Sequence, residues 1–115
     1  GFEVEHYEAL FQLCTGRALT WQELLETSER VWNLTRAVSL REVPGFGRAS
    51  DYPPARLMND PVPNGPNEGH CLSRQEIDRL LDEYYDARGW DRQGRPTAET
   101  LNRLGLEDVA RSLQT

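Results

Sequence analysis

The sequence predicts an all-α domain of four to five helices, with a long Pro/Gly-rich irregular strap between the helical pairs. Three observations carry this. Apolar residues recur at three- and four-residue steps in several stretches. Two helix starts carry the capping-box pattern, Thr20 with Glu23 and Ser73 with Glu76. No stretch alternates apolar and polar residues as a strand does. The length of 115 residues suits a single domain. Within it, residues 1–40 read as a first helical pair, 41–72 as the strap and 73–115 as a second helical group.

Phe2 to Thr15 reads as the first helix. Val4, Tyr7, Leu10, Phe11 and Cys14 share one face, and Gly16 stops it. Cys14 on that face reads as a small buried apolar residue. Thr20 to about Leu40 is the longest helix. Trp21, Leu24, Leu25, Ser28, Val31, Trp32, Thr35 and Val38 form a stripe expected to face the core, and Glu26 and Arg30 an i,i+4 pair outside it.

Six of the seven prolines lie between Pro44 and Pro66. Each breaks regular structure, so residues 41–72 are expected to be irregular. The strap is richer in apolar residues than a flexible linker. Phe46, Tyr52, Leu57, Met58 and Val62 are its candidate anchors on a neighbouring surface.

Ser73 opens the next helix. Ile77, Leu80, Leu81, Tyr84 and Tyr85 make its apolar face, and Asp78, Asp82, Glu83 and Asp86 a solvated acidic one. Arg88 suits the last turn, and Gly89 a left-handed stop. Trp90 then folds back, DRQG (Asp91 to Gly94) turns, and Thr97 caps a short helix ending at Gly105. A last turn or two runs over Glu107 to Leu113. Tyr84, Tyr85 and Trp90 are expected where the last helices pack, with pocket lining as the competing role.

Composition narrows the function classes. The net charge of −6 argues against nonspecific nucleic-acid binding, which needs a basic surface. No apolar run approaches the roughly 20 residues of a membrane helix. All thirteen basic residues are arginine, a bias that reads as genome composition. Cys14 and Cys71 are too few for a disulfide scaffold and suit a reducing, cytoplasmic setting. The chain opens at Gly1 and its only methionine is Met58, so a fragment or processed product is expected.

No catalytic, cofactor or metal residue emerges. His6, Cys14, His70 and Cys71 lack the usual metal-ligand spacings. No Ser or Cys stands in a Gly-flanked elbow. Gly45-Phe46-Gly47 lacks the rest of a phosphate loop. The Asp82/Asp86 face would serve a small hydrolase only if burial pushed its pKa values apart.

Several runs carry a resemblance in combination: Cys14-Thr15-Gly16 ahead of Leu19-Thr20, ERVWNLTRAVSLREV (Glu29 to Val43), GPNEGH (Gly65 to His70), DEYYDARGWD (Asp82 to Asp91) and GRPTAETLNRLGLEDVA (Gly94 to Ala110). In order and spacing they resemble the C-terminal end of the tungsten-containing aldehyde:ferredoxin oxidoreductases. Val38-Ser39-Leu40 departs mildly from the family's Phe-Asn-Leu. The resemblance implies an enzyme that oxidises aldehydes to carboxylic acids and passes electrons to ferredoxin. Its tungsten (or molybdenum) bis-pterin and 4Fe–4S cluster would be held by upstream domains, and neither Cys14 nor Cys71 matches a cluster cysteine. This chain would be inert alone and pack against the cofactor-bearing part. The alternative is a free-standing acidic helical interaction module.

Overall fold

The computed structural model describes residues 3–113. Among them are six α-helices and one short 3-10 turn, in the order α1 (Val4–Thr15), α2 (Trp21–Glu42), the turn Arg48–Asp51, α3 (Ala55–Asn59), α4 (Arg74–Arg88), α5 (Ala98–Arg103) and α6 (Glu107–Ser112). The all-α expectation holds. The helix beyond the expected four or five is α3, which follows Pro53-Pro54 inside the strap. Pro54 stands at its N-cap, where a missing N–H costs nothing. Phe2, the expected start of the first helix, lies outside the described residues.

The expected ends are made as the sequence indicates. Thr20 and Ser73 each accept from the backbone N–H three residues on, and Glu23 and Glu76 return the bond. Glu8 adds a carboxylate that accepts from the Trp21 backbone N–H, at the positive end of α2. α4 stops at Gly89 in the left-handed conformation, φ 65°. A side chain there would strike the Thr100 hydroxyl, so only glycine fits. The Gly89 carbonyl then accepts from the Thr97 and Thr100 hydroxyls and the Thr97 backbone N–H, which ties the end of α4 to the start of α5.

The core is small and lies where α2, α4 and α5 meet. Tyr85, Trp90, Ile77, Leu101, Leu104, Ala37 and Ala110 are its buried apolar members. Asn33 is wholly buried among them. Its carboxamide oxygen accepts from the Trp90 indole at 2.8 Å, and its NH₂ donates to the Glu29 carbonyl at 2.9 Å. Trp90 folds back as expected, with its backbone N–H on the Tyr85 carbonyl at 2.8 Å.

The face that α2 buries differs from the expected one. Asn33, Arg36 and Ala37 go inward, while Trp21, Leu25, Val31, Trp32 and Val38 remain exposed. α2 has two usable faces, and α4 with the turn after it occupies the one with the polar anchors. α1 buries no residue, and Cys14 is exposed rather than buried. Arg30 does not pair with Glu26; its guanidinium donates to the Leu104 carbonyl at 2.9 Å. On α4, Leu80 and Tyr84 also stay exposed.

The molecule is a slab of 51 × 45 × 22 Å with a radius of gyration of 18.4 Å. A compact chain of this length would have about 13 Å. The excess is a physical statement about packing: large apolar faces find no cover among the described residues.

Candidate functional site

The strap is fixed to the core by two arginines, neither of which stood out in the sequence. Arg36 comes from the buried face of α2 and is only 8% exposed. It donates to the Gly94 carbonyl at 2.8 Å and to both Asp51 carboxylate oxygens. Its guanidinium lies over the rings of Phe46 and Trp90, 4.7 and 4.8 Å from their centroids. A buried cation is tolerable when paired, stacked and hydrogen-bonded in this way. Tyr85 donates its hydroxyl to the same Asp51, and burial followed by that carboxylate pushes the phenol upward, so it stays protonated.

Arg48 is the second fastener. Its guanidinium donates to Asp82 at 2.6 Å and to the Asp78 carboxylate at 3.1 Å and carbonyl at 3.0 Å. The Tyr52 hydroxyl bonds to Asp78 as well, and that bond, then Arg48, holds the Asp78 carboxyl below the usual range. Arg92 reaches Asp82 and Asp86 from the following turn. The acidic face of α4 keeps side chains 41–64% exposed and also receives arginines, with Arg48 and Arg92 on the Asp82/Asp86 pair. Together these arginines show that the arginine bias has structural use. No pattern along the chain marks these fasteners, because Arg48 lies 34 and 30 positions from Asp82 and Asp78.

Above the first fastener lies a pocket of 140 Å³. Trp32, Tyr84, Trp90 and Phe46 wall it, with Arg36 and Asp51 at its polar side. The Trp32 indole donates to the Tyr84 hydroxyl across its mouth at 2.9 Å. Tyr84 and Trp90 thus line a pocket while Trp90 also serves the core.

The expected strap contacts separate into two groups. Phe46 and Tyr52 are half-buried against Arg36 and Arg74 of this chain, the Arg74 guanidinium lying 3.8 Å from the Tyr52 ring centre. Met58 is half-buried, while Leu57 is 55% and Val62 39% exposed. Beyond Pro53 the strap bonds to itself: the Val62 and His70 backbones pair at 2.9 Å, and Leu72 reaches Leu57 at 3.3 Å. Leu57, Val62, His70, Cys71 and Leu72 line an open hollow of 350 Å³ there.

No group of three or more His, Cys, Asp or Glu that could hold a metal ion occurs among the described residues. No helix among them is long and apolar enough to cross a membrane.

Fold and site thus define a helical module with a fastened strap and uncovered apolar faces, the form of a part within a larger protein. A family profile described as "Aldehyde ferredoxin oxidoreductase, domains 2 & 3" matches residues 1–106. Tungsten-containing aldehyde ferredoxin oxidoreductases of Pyrococcus abyssi and Pyrococcus furiosus are 34% and 33% identical over 109 residues, covering 94% of this chain and 17% of theirs. The aliphatic sulfonate oxidoreductase WOR-like subunit of Pyrococcus furiosus is 31% identical over 96 residues, or 81% of this chain and 15% of that one. Among solved structures, the active site complex BamBC of benzoyl coenzyme A reductase in complex with 1,5-dienoyl-CoA matches 97% of this chain and 15% of its own. It does so at TM-score 0.76 and 28% identity. The chain belongs to the aldehyde ferredoxin oxidoreductase family. It spans about a sixth of the length of the curated relatives it matches, 17%.

Proposed function

We propose that this chain is the helical C-terminal part of a larger cytoplasmic oxidoreductase that converts aldehydes to carboxylic acids and passes the electrons to ferredoxin. The tungsten or molybdenum bis-pterin and the 4Fe–4S cluster belong to upstream domains of the same polypeptide. This part packs against them and, through the distal strap, helps close one side of the substrate channel. The observation that carries the reading is the contrast within the strap. Residues 46–52 are fastened by Arg36 and Arg48, whereas Leu57 and Val62 lie exposed on the following segment, which bonds to itself and to Leu72 at the approach to α4. A rigid base presenting apolar side chains outward is what an interdomain contact needs. Met58, Phe46 and Tyr52, each half-buried, complete the proposed contact set. The free thiols of Cys14 and Cys71 support a reducing compartment.

Deleting residues 46–62 would also remove Arg48 and Asp51, so a finer change is the better test. Leu57→Asp with Val62→Asp in the full-length enzyme leaves both fasteners intact. The expected outcome is reduced aldehyde oxidation or reduced tungsten content in a soluble protein. Unchanged activity and unchanged metal would overturn the contact.

A further inference from the structure

Tyr85 fills the core, but its neighbours Tyr84 and Trp90 border a space of 140 Å³ between α2, α4 and the strap. We propose that this pocket binds a neutral single-ring aromatic molecule with a carbonyl oxygen beside the ring, and that the bound molecule tightens the strap. The inference goes beyond the proposed reaction and does not depend on which substrate the larger protein oxidises.

Size and shape come first. A cavity of about 150 Å³ with apolar walls takes a benzene-sized ring. Here the rings of Trp32, Phe46, Tyr84 and Trp90 form the wall. Their positions are set in advance. Tyr84 and Trp90 meet edge to face at 5.7 Å, and Arg88, which is not part of the lining, packs on Trp32 and Tyr84 at 5.8 and 5.3 Å. Arg88 is itself held by Glu29. A preformed wall loses little free energy to ordering when a ligand arrives. Entry crosses a single hydrogen bond, from Trp32 to Tyr84, and both of these residues are exposed.

Charge decides the class of ligand. Aromatic rings beside an acid would suit a quaternary ammonium ion. Arg36 excludes one, because its guanidinium already lies over Phe46 and Trp90 and takes both Asp51 oxygens. That ion pair is neutral as a whole, so nothing draws an anion out of water either. Hydrogen bonding remains. Of the five guanidinium N–H groups, three donate to Gly94 and Asp51, and two have no acceptor among the described residues. A buried donor left without a partner is costly, and a carbonyl oxygen in the pocket supplies one.

The same geometry links the pocket to the strap. Phe46 and Asp51 belong to the strap, Trp32 and Arg36 to α2, and Tyr84 to α4. A molecule that touches all three opposes local opening of residues 46–52 in proportion to its occupancy.

Benzamide is the probe, with benzene as the ring that lacks the acceptor and benzoate as the ring that carries a charge. A ligand of about nine heavy atoms has a dissociation constant of about 1 mM at ordinary ligand efficiency. At about 10 mM benzamide, hydrogen exchange of residues 46–52 in the native full-length protein is expected to slow by about tenfold, with α1 unchanged. Benzene and benzoate are expected to slow it by about threefold at most. Ser39→Leu enlarges a side chain of the lining, leaves both fasteners in place and is expected to abolish the benzamide effect. No slowing by benzamide overturns the site, and the wild-type series alone decides this if the variant does not fold. Equal slowing by benzene overturns the carbonyl contact, and equal slowing by benzoate overturns the neutral class. Slowing that survives Ser39→Leu in a folded protein overturns the pocket. Each of these failures, in a protein that still oxidises aldehydes, leaves the function reading standing.

Discussion

The Tyr85 hydroxyl donates to the carboxylate of Asp51, 34 residues earlier in the chain. The same carboxylate holds Arg36, so one acid in the strap locks two helices at once. Its loss and the loss of the phenol are therefore unequal. Tyr85→Phe removes one hydrogen bond and leaves the ion pair, a cost of about 1 kcal/mol. Asp51→Ala strands the buried Arg36 cation, a cost of about 3 kcal/mol or more. Native-state hydrogen exchange over α4 and residues 46–52 in the full-length protein reads both. Equal acceleration by the two changes would contradict this division.

Gly94 gives a sharper geometric test. Its φ is +74°, and a β-carbon there would collide with the Arg36 guanidinium and the Tyr85 hydroxyl. Gly105 has a similar φ of +68° but open space around it. Gly105→Ala should cost only the left-handed strain, about 1–2 kcal/mol. Gly94→Ala adds displacement of a buried ion pair and should cost clearly more. Matching costs by hydrogen exchange would show that the fastener can shift freely.

How much of this was legible from sequence depends on whether the cause is local. Both capping boxes, the Gly89 stop, the fold-back of Trp90 and the Thr97 cap depend on residues within a few positions of one another, and each appears as expected. The buried face of α2 was not legible by the same means. Trp21 and Trp32 mark the more apolar stripe, and periodicity selects it. Asn33 and Arg36 win the core because each finds a partner more than 50 positions away, in Trp90 and in Gly94. That complementarity is invisible to a pattern along one helix. Family membership was legible too, in the combination of runs such as ERVWNLTRAVSLREV and DEYYDARGWD. The strap contacts at Leu57, Met58 and Val62 remain a proposal of the sequence that the exposed positions of Leu57 and Val62 support.

Arg48 should not tolerate lysine. Its fork spans Asp82 and Asp78 together, and a lysine ammonium is a single point charge. Arg48→Lys keeps the charge but loses the two-carboxylate grip. Exchange of residues 46–52 is expected to speed up by roughly tenfold, with α5 unaffected. No change would mean that charge alone holds the strap.

The pH dependence has a definite sign. Asp78 is held low by Tyr52 and then Arg48, Glu23 by the Thr20 backbone N–H and hydroxyl, and Glu76 by the Ser73 hydroxyl and backbone N–H. A carboxyl lowered in the folded state binds fewer protons there than when unfolded, so stability rises with pH across that window. The contribution is complete above about pH 5 and is lost as pH falls through the lowered folded values. Protection of α4 should weaken between about pH 5 and 3, and Asp78→Asn should flatten part of that slope. A slope of the opposite sign, or one unaltered by Asp78→Asn, would contradict the assignment.

The most direct measurement of the central claim is the intact mass and metal content of the native polypeptide that carries this sequence, isolated from its source. A mass several times the 13.2 kDa of this chain, with tungsten and iron in the same fraction, is the predicted result. A mass near 13.2 kDa with no metal would contradict it, and the chain would then act as a free-standing acidic helical interaction module.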